Sequence, residues 1–133
     1  MGLHSYNHGI VTSMKGPAIE AFRVTGMNAS PCTVADQCKA NLVSAVTIAS
    51  GVVTVQLNQP YPPAVVACFT QYGSASTTDD IIVARPREAG YTASTGVLLI
   101  DLSNDDDAGA PAAASPGAAD ELHVMVVFRR YTA

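Results

Sequence analysis

"LVSAVTIASGVVTVQL" (42–57) decides the fold class of this chain. In its first half, Leu42, Val46 and Ile48 fall on one face. In its second half, Val53, Val55 and Leu57 do the same. Side chains of an extended strand alternate between faces, so a two-residue period with one apolar side marks a half-buried strand. The link between the runs is short and contains Gly51. A short glycine-containing link between two alternating runs reads as a β-hairpin.

The same signal recurs on both sides of the hairpin. Upstream, "AIEAFRVT" (18–25) puts Phe22 and Val24 on one side. Downstream, "NQPYPP" (58–63) breaks the pattern, because its prolines cannot donate to a ladder. "AVVACFTQY" (64–72) is apolar on both faces at first, which predicts a central strand. "GSASTTDD" (73–80) is a loop. "IIVARP" (81–86) is a short strand closed by Pro86, and "REAGYTASTG" (87–96) is a second connection. "VLLIDLS" (97–103) aims Leu98, Ile100 and Leu102 one way. "ELHVMVVFRRY" (121–131) aims Leu122, Val124, Val126 and Phe128 inward, with Glu121, His123, Met125 and Arg129 outward. Short, evenly spaced strands with many turn signals predict an all-β fold, an antiparallel β-sandwich or barrel-like domain.

Two regions carry no clear strand period. "SPCTVADQCKANL" (30–42) supports a helix start, with Ser30 as N-cap and Pro31 at the first helical position, or an extended chain. The sequence leaves both open. Residues 1–17 hold scattered apolar side chains and several glycines, which predicts an extended N-terminal arm ahead of one domain over 18–133. The Ala-, Gly- and Asp-rich stretch 104–120 is expected to be a long flexible loop between strands that neighbour each other in one sheet.

Composition bounds the function classes. The chain has 133 residues, 48% of them hydrophobic and 14% charged, with a formal charge of −4. A single domain of this size buries a core, and the low charge argues against disorder. The shortage of charge, against about 25% in ordinary domains, predicts apolar surface or a covering partner. Net acidity argues against nucleic-acid binding, which rests on neutralising phosphates. No apolar run is long enough for a membrane span. The start "MGLHSYNHGIV" has no basic segment and no apolar segment of signal-peptide length, so an intracellular product with reduced thiols is expected.

No catalytic constellation assembles. His4 and His8 have helical metal-ligand spacing, but Asn7 and Gly9 argue against a helix and no further ligand lies nearby. Asp105, Asp106 and Asp107 lack the alternating spacing of a calcium loop. Cys32 and Cys38 fit neither a zinc knuckle nor a redox pair, although an oxidising setting would permit a bridge. Cys68 reads as a small hydrophobe. The acids Glu20, Glu88 and Glu121 are dispersed. The chain is therefore expected not to be an enzyme and to need no cofactor or metal. Two basic pairs, Arg85 with Arg87 and Arg129 with Arg130, are expected to end strands. They act as strand-edge protection or as a positive rim for an acidic partner.

The order of elements resembles small β-rich virion proteins of tailed bacteriophages, particularly capsid decoration (cement) proteins. The resemblance is carried by "VSAVTIASGVVTVQLNQPY", "PPAVVACFTQYG", "DDIIVARPR", "GVLLIDLS" and an Ala/Asp-rich insertion ending in "ELHVMVVFRR", spanning roughly 42–131. It implies a homotrimer on the outer surface of a capsid, made in the host cytoplasm, that bridges neighbouring major capsid protein subunits with an extended terminal arm. It supplies no motif to transfer residue by residue. The candidate subunit or capsid contacts are Tyr6 and Ile10 on the arm with Arg85, Arg87, Arg129 and Arg130. The alternative is a fibre-tip or receptor-binding β-module recognising a host glycan, against which the low aromatic count weighs. A third option is an enzyme or metal protein using His4, His8 and His123.

Overall fold

The computed structural model describes residues 18–37, 42–58, 65–74, 81–105 and 112–128. These residues form two antiparallel sheets packed face to face, with no helix among them. The strands are β1 (Ala18–Thr25), β2 (Thr33–Ala35), β3 (Val43–Ala49), β4 (Val52–Leu57), β5 (Val65–Gly73), β6 (Ile81–Thr92), β7 (Val97–Asp105), β8 (Ala112–Ala113) and β9 (Glu121–Phe128). The first sheet runs β2-β1-β9-β5. The second runs β3-β4-β7-β6, with the short β8 also on β7.

The alternation read from the sequence is what closes the core. Val46, Val53, Val55, Leu98, Ile100 and Leu102 line the inner face of the second sheet; Phe22, Val24, Leu122, Val124, Val126 and Phe128 line that of the first. Burying each large aliphatic or aromatic side chain contributes about 1.5–3 kcal/mol. Phe128 meets the Tyr91 ring edge-on at 5.6 Å, a favoured aromatic geometry that ties β9 to β6 across the sandwich.

The open sides of the sandwich are laced as well. On one side the Cys32 amide donates to the Val46 carbonyl at 2.8 Å, next to β2 and β3. On the other, the Thr70 hydroxyl of β5 donates to the Ala84 carbonyl of β6 at 2.7 Å. These cross-sheet bonds give the sandwich its barrel-like character.

The central hairpin forms as expected, with β3 and β4 paired through Ala49 and Val52. Ser50 and Gly51 both have positive φ, 50° and 74°. That is the backbone of the two-residue turn whose twist matches the flanking strands. Gly51 is required twice over, since a Cβ there would come within 2.9 Å of both the Ala113 side chain and the Leu102 carbonyl.

One open reading is settled and three expectations need correction. First, of the two readings left open for the 30–37 stretch the extended one holds: residues 33–35 pair with β1. Residues 38–41, and with them Cys38, lie outside the described residues. Second, β5 is not central. It sits at the edge of the first sheet, and its apolar outer face looks out of the sandwich rather than into a second layer.

Third, Pro86 does not end β6. The strand continues to Thr92 through an irregularity between Pro86 and Tyr91, where the register with β7 shifts. Extra residues in one strand bulge out of the ladder, so the proline's missing donor is tolerated there. Gly90 sits in this bulge with the Arg87 carbonyl 2.8 Å from where a Cβ would be.

Fourth, the segment after β7 joins the two sheets rather than neighbours in one sheet, since β7 and β9 belong to different sheets. Asn104 and Asp105 still belong to β7. Ala112 and Ala113 then pair back onto β7, beyond the point where β4 turns into β3. Ala114 is buried and its amide donates to the Leu102 carbonyl at 3.2 Å. Small side chains fit because the chain passes against the hairpin turn. Residues 106–111 lie outside the described residues, as does the whole arm 1–17.

Candidate interaction surface

The outer face of the first sheet departs from the solvated norm. Cross-strand partners set its layout. Ile19 on β1 pairs with Val127 on β9, which pairs with Ala67 on β5. The next outward row is Ala21, Met125 and Phe69, and the third is Arg23, His123 and Gln71. Ile19 is 60% exposed, Phe69 57% and Met125 40%, so one end of the sheet holds large apolar side chains in water. Single exposed apolar residues are normal; a contiguous group on a flat sheet marks a contact surface.

The polar end is a small charge network. Arg23 Nη2 lies 2.6 Å from Asp36 Oδ2, and Arg23 Nη1 donates to Glu121 Oε1 at 2.8 Å. His123 Nε2 stands 3.4 Å from Glu121 Oε2. A shallow depression of about 680 Å³ spans both ends, floored by Arg23, Phe69, Gln71, His123 and Met125 with Asp36 at its rim. The network ties β1, β2 and β9 together and fixes where the apolar end stops.

The second sheet's outer face is built differently. Thr47, Thr54 and Leu99 form one row, and Ala49, Val52, Asp101 and Arg85 another. Arg85 and Arg87 are both exposed. They lie within β6 rather than at its end, because the strand runs on past Pro86. Arg87 forks onto Asp101, with Nε and Nη2 donating to the two carboxylate oxygens at 3.1 and 2.5 Å. The Arg87 hydrogen bonds, with a smaller contribution from the charge of Arg85, hold the Asp101 carboxyl below its usual range. One of the two expected positive charges is thus neutralised within the fold. Arg129, Arg130, Tyr6 and Ile10 lie outside the described residues.

The buried polar chemistry is structural. Asp120 is 4% exposed; its Oδ2 accepts the Tyr72 hydroxyl at 2.6 Å and the Gly117 amide at 2.8 Å. Burial, and then the Asp120 hydrogen bond, push the Tyr72 hydroxyl well above the ordinary tyrosine range. The pair pins the turn entering β9 onto β5. Cys68 is pushed up to about 11 by burial, the state of an unreactive thiol. Cys32 is free and buried, and its thiol donates to the Ala29 carbonyl at 3.2 Å. Among the described residues, no three His, Cys, Asp or Glu side chains gather closely enough to hold a metal ion. His123 stands exposed on the outer face, as its alternation required; His4 and His8 lie outside the described residues.

No known family, curated protein or solved structure matches this chain.

The sequence reading found His123 and Met125 but missed Ile19 and Phe69. The signal was present in part. If Phe22 and Val24 face inward, Ile19 and Ala21 must face outward. What local pattern could not supply was that β1, β9 and β5 lie side by side.

Proposed function

We propose that this chain is a structural adhesive: a virion protein that decorates a bacteriophage capsid and bridges neighbouring major capsid subunits. One observation carries the adhesive part. A chain poor in charge leaves Ile19, Phe69 and Met125 in water on one sheet face, and such a face gains free energy when another protein covers it. The capsid itself enters only through the resemblance of the strand order to decoration proteins.

In this reading the sandwich is a rigid block and binding energy comes from many repeated contacts over a symmetric shell. The contacts with major capsid protein fall to Tyr6 and Ile10 on the arm and to the basic side chains Arg85, Arg129 and Arg130. The resemblance implies a homotrimer on the outer surface. The experiment is to image particles of the encoding phage and to heat them with and without the protein. Bound density on the shell and a lower disruption temperature without it are expected. Absence from virions, or unchanged shell stability, overturns the reading.

A specific observation favours one other reading. The depression beside exposed Phe69 carries Gln71, His123 and Asp36, a mix of aromatic face and hydrogen-bonding groups suited to a host glycan. A reproducible hit on a glycan array, lost in Phe69→Ala, would favour a receptor-binding module over cement.

A further inference from the structure

We infer that the outer face of the first sheet is a two-fold interface between copies of this chain. The inference goes beyond the proposed function and departs from the homotrimer that the resemblance implies; it stands whether or not the chain ever meets a capsid.

Shape carries it. Two cross-strand rows make up the apolar end: Ile19, Val127 and Ala67, then Ala21, Met125 and Phe69. The two most exposed side chains, Ile19 and Phe69, therefore occupy diagonal corners, on β1 and β5. Alanines occupy the other two corners: Ala67 on β5 and Ala21 on β1. Protrusions and hollows alternate around β9.

A second copy laid face to face meets this pattern in register. The two-fold axis that leaves both charged ends outside runs across the strands, between the two apolar rows, so the rows exchange. Ile19 then faces Ala21 of the partner subunit, and Phe69 faces Ala67 of the partner subunit. Each large side chain enters a hollow over an alanine, and Met125 and Val127 pack along the centre. Interdigitation of this kind is how stacked sheets fill the space between them. An isologous contact needs a self-complementary patch, and this patch is one. An unrelated partner would have no reason to match both diagonals.

The area sets the strength. Three strands about 4.8 Å apart and about four residues of each cover roughly 200 Å² of flat sheet per copy. Doubled, that stays below the roughly 1,000 Å² of a stable specific interface, so the pairing is weak and reversible. The Arg23, Asp36, Glu121 and His123 network at the other end keeps the pair from extending over the whole sheet, because burying it would strip water from charges.

The test is the solution mass of the full chain, by sedimentation velocity and light scattering, from about 10 µM to about 1 mM. The mass is expected to rise from that of the 13.7 kDa chain toward twice that value. Phe69→Lys and Ile19→Lys are each expected to weaken pairing at least about tenfold, with unchanged circular dichroism because both side chains are exposed. Ala21→Phe and Ala67→Phe separate hollow-filling from general stickiness. Both add apolar surface, yet both are expected to weaken pairing by blocking the hollows. Leu99→Lys, on the other sheet's outer face, is expected to leave it unchanged. A chain that stays monomeric near 1 mM, one that assembles to three times its mass, pairing indifferent to Phe69→Lys, or pairing tightened by Ala21→Phe and Ala67→Phe would each overturn the inference.

Discussion

The two outer faces of this sandwich are made by the same rule and reach opposite ends. On both, alternate residues of antiparallel strands point away from the core. On the second sheet those positions mix Ala49, Val52, Val83 and Leu99 with Thr47, Thr54, Gln56, Asp101 and Arg85; the carboxylate of Asp101 is claimed by Arg87, and Val83, at 37%, is the face's one exposed large apolar side chain among the described residues. On the first sheet they hold Ile19, Ala21, Ala67, Phe69, Met125 and Val127 before giving way to Arg23, His123 and Gln71. On the second sheet polar side chains break up the apolar ones; on the first, Ile19, Phe69 and Met125 stand together, and we propose that cluster as a contact surface.

Two phenylalanines of the first sheet give the strongest contrast. Phe128 points inward and is fully buried; Phe69 points outward. Phe128→Ala is expected to cost about 3–5 kcal/mol, the range for emptying an aromatic core site. Phe69→Ala is expected to stay within about 0.5 kcal/mol of the parent at concentrations where the chain is monomeric. Urea unfolding of both variants reads this directly. Equal losses would mean that Phe69 is a core residue and that the outer face is not a contact surface.

A smaller effect is expected at the Tyr72–Asp120 contact, which tests whether buried polar groups serve the fold. Tyr72→Phe removes a hydroxyl from a buried carboxylate and is expected to cost about 1.5–3 kcal/mol, the range for hydrogen bonds to charged groups. The chain should remain folded and should still self-associate, because the pair lies inside the sandwich.

Alkaline pH sharpens the same point. The Cys68 thiol is held up to about 11, and burial and Asp120 hold the Tyr72 hydroxyl above its ordinary value. The unfolded thiol loses its proton from about pH 9, and the unfolded phenol from about pH 10. The folded chain keeps both protons longer, so in that window it binds more protons than the unfolded chain. Stability is therefore full below about pH 9 and falls as pH rises to 11 and beyond. Urea midpoints measured across this range should drop, with a shallower slope in Cys68→Val.

The smallest effect is expected on the solvated face. Arg87 and Asp101 form an exposed pair screened by salt. Asp101→Asn should leave the melting temperature nearly unchanged, and the small difference should vanish in high salt. A large loss would mean that the second sheet's face, and not the first, carries a structural or binding role.

How much of this was legible beforehand varied by element, for physical reasons. The runs over 42–49, 52–57, 97–103 and the start of 121–131 were legible because each buries one side only, and a two-residue period records that in the chain itself. The hairpin was legible because Ser50 and Gly51 leave no room for another connection. β5 was misread because apolarity on both faces has two causes, a central position or an exposed contact surface, and sequence does not separate them. β6 was cut short because Pro86 forbids a regular ladder but not a bulge. The path over 112–120 was missed because Ala113 and Ala114 are informative only through what they fit against.

The two-residue period in the chain recorded the all-β class and the inward side of β1, β3, β4, β7 and β9. Those properties follow from the local geometry of an extended backbone. Only the tertiary structure decided that β1, β9 and β5 lie side by side, with about a hundred residues between Arg23 and His123. That pairing gathers Ile19, Phe69 and Met125 into one surface. Strand neighbourhood is fixed by how the whole core closes, and no short window of residues contains that information.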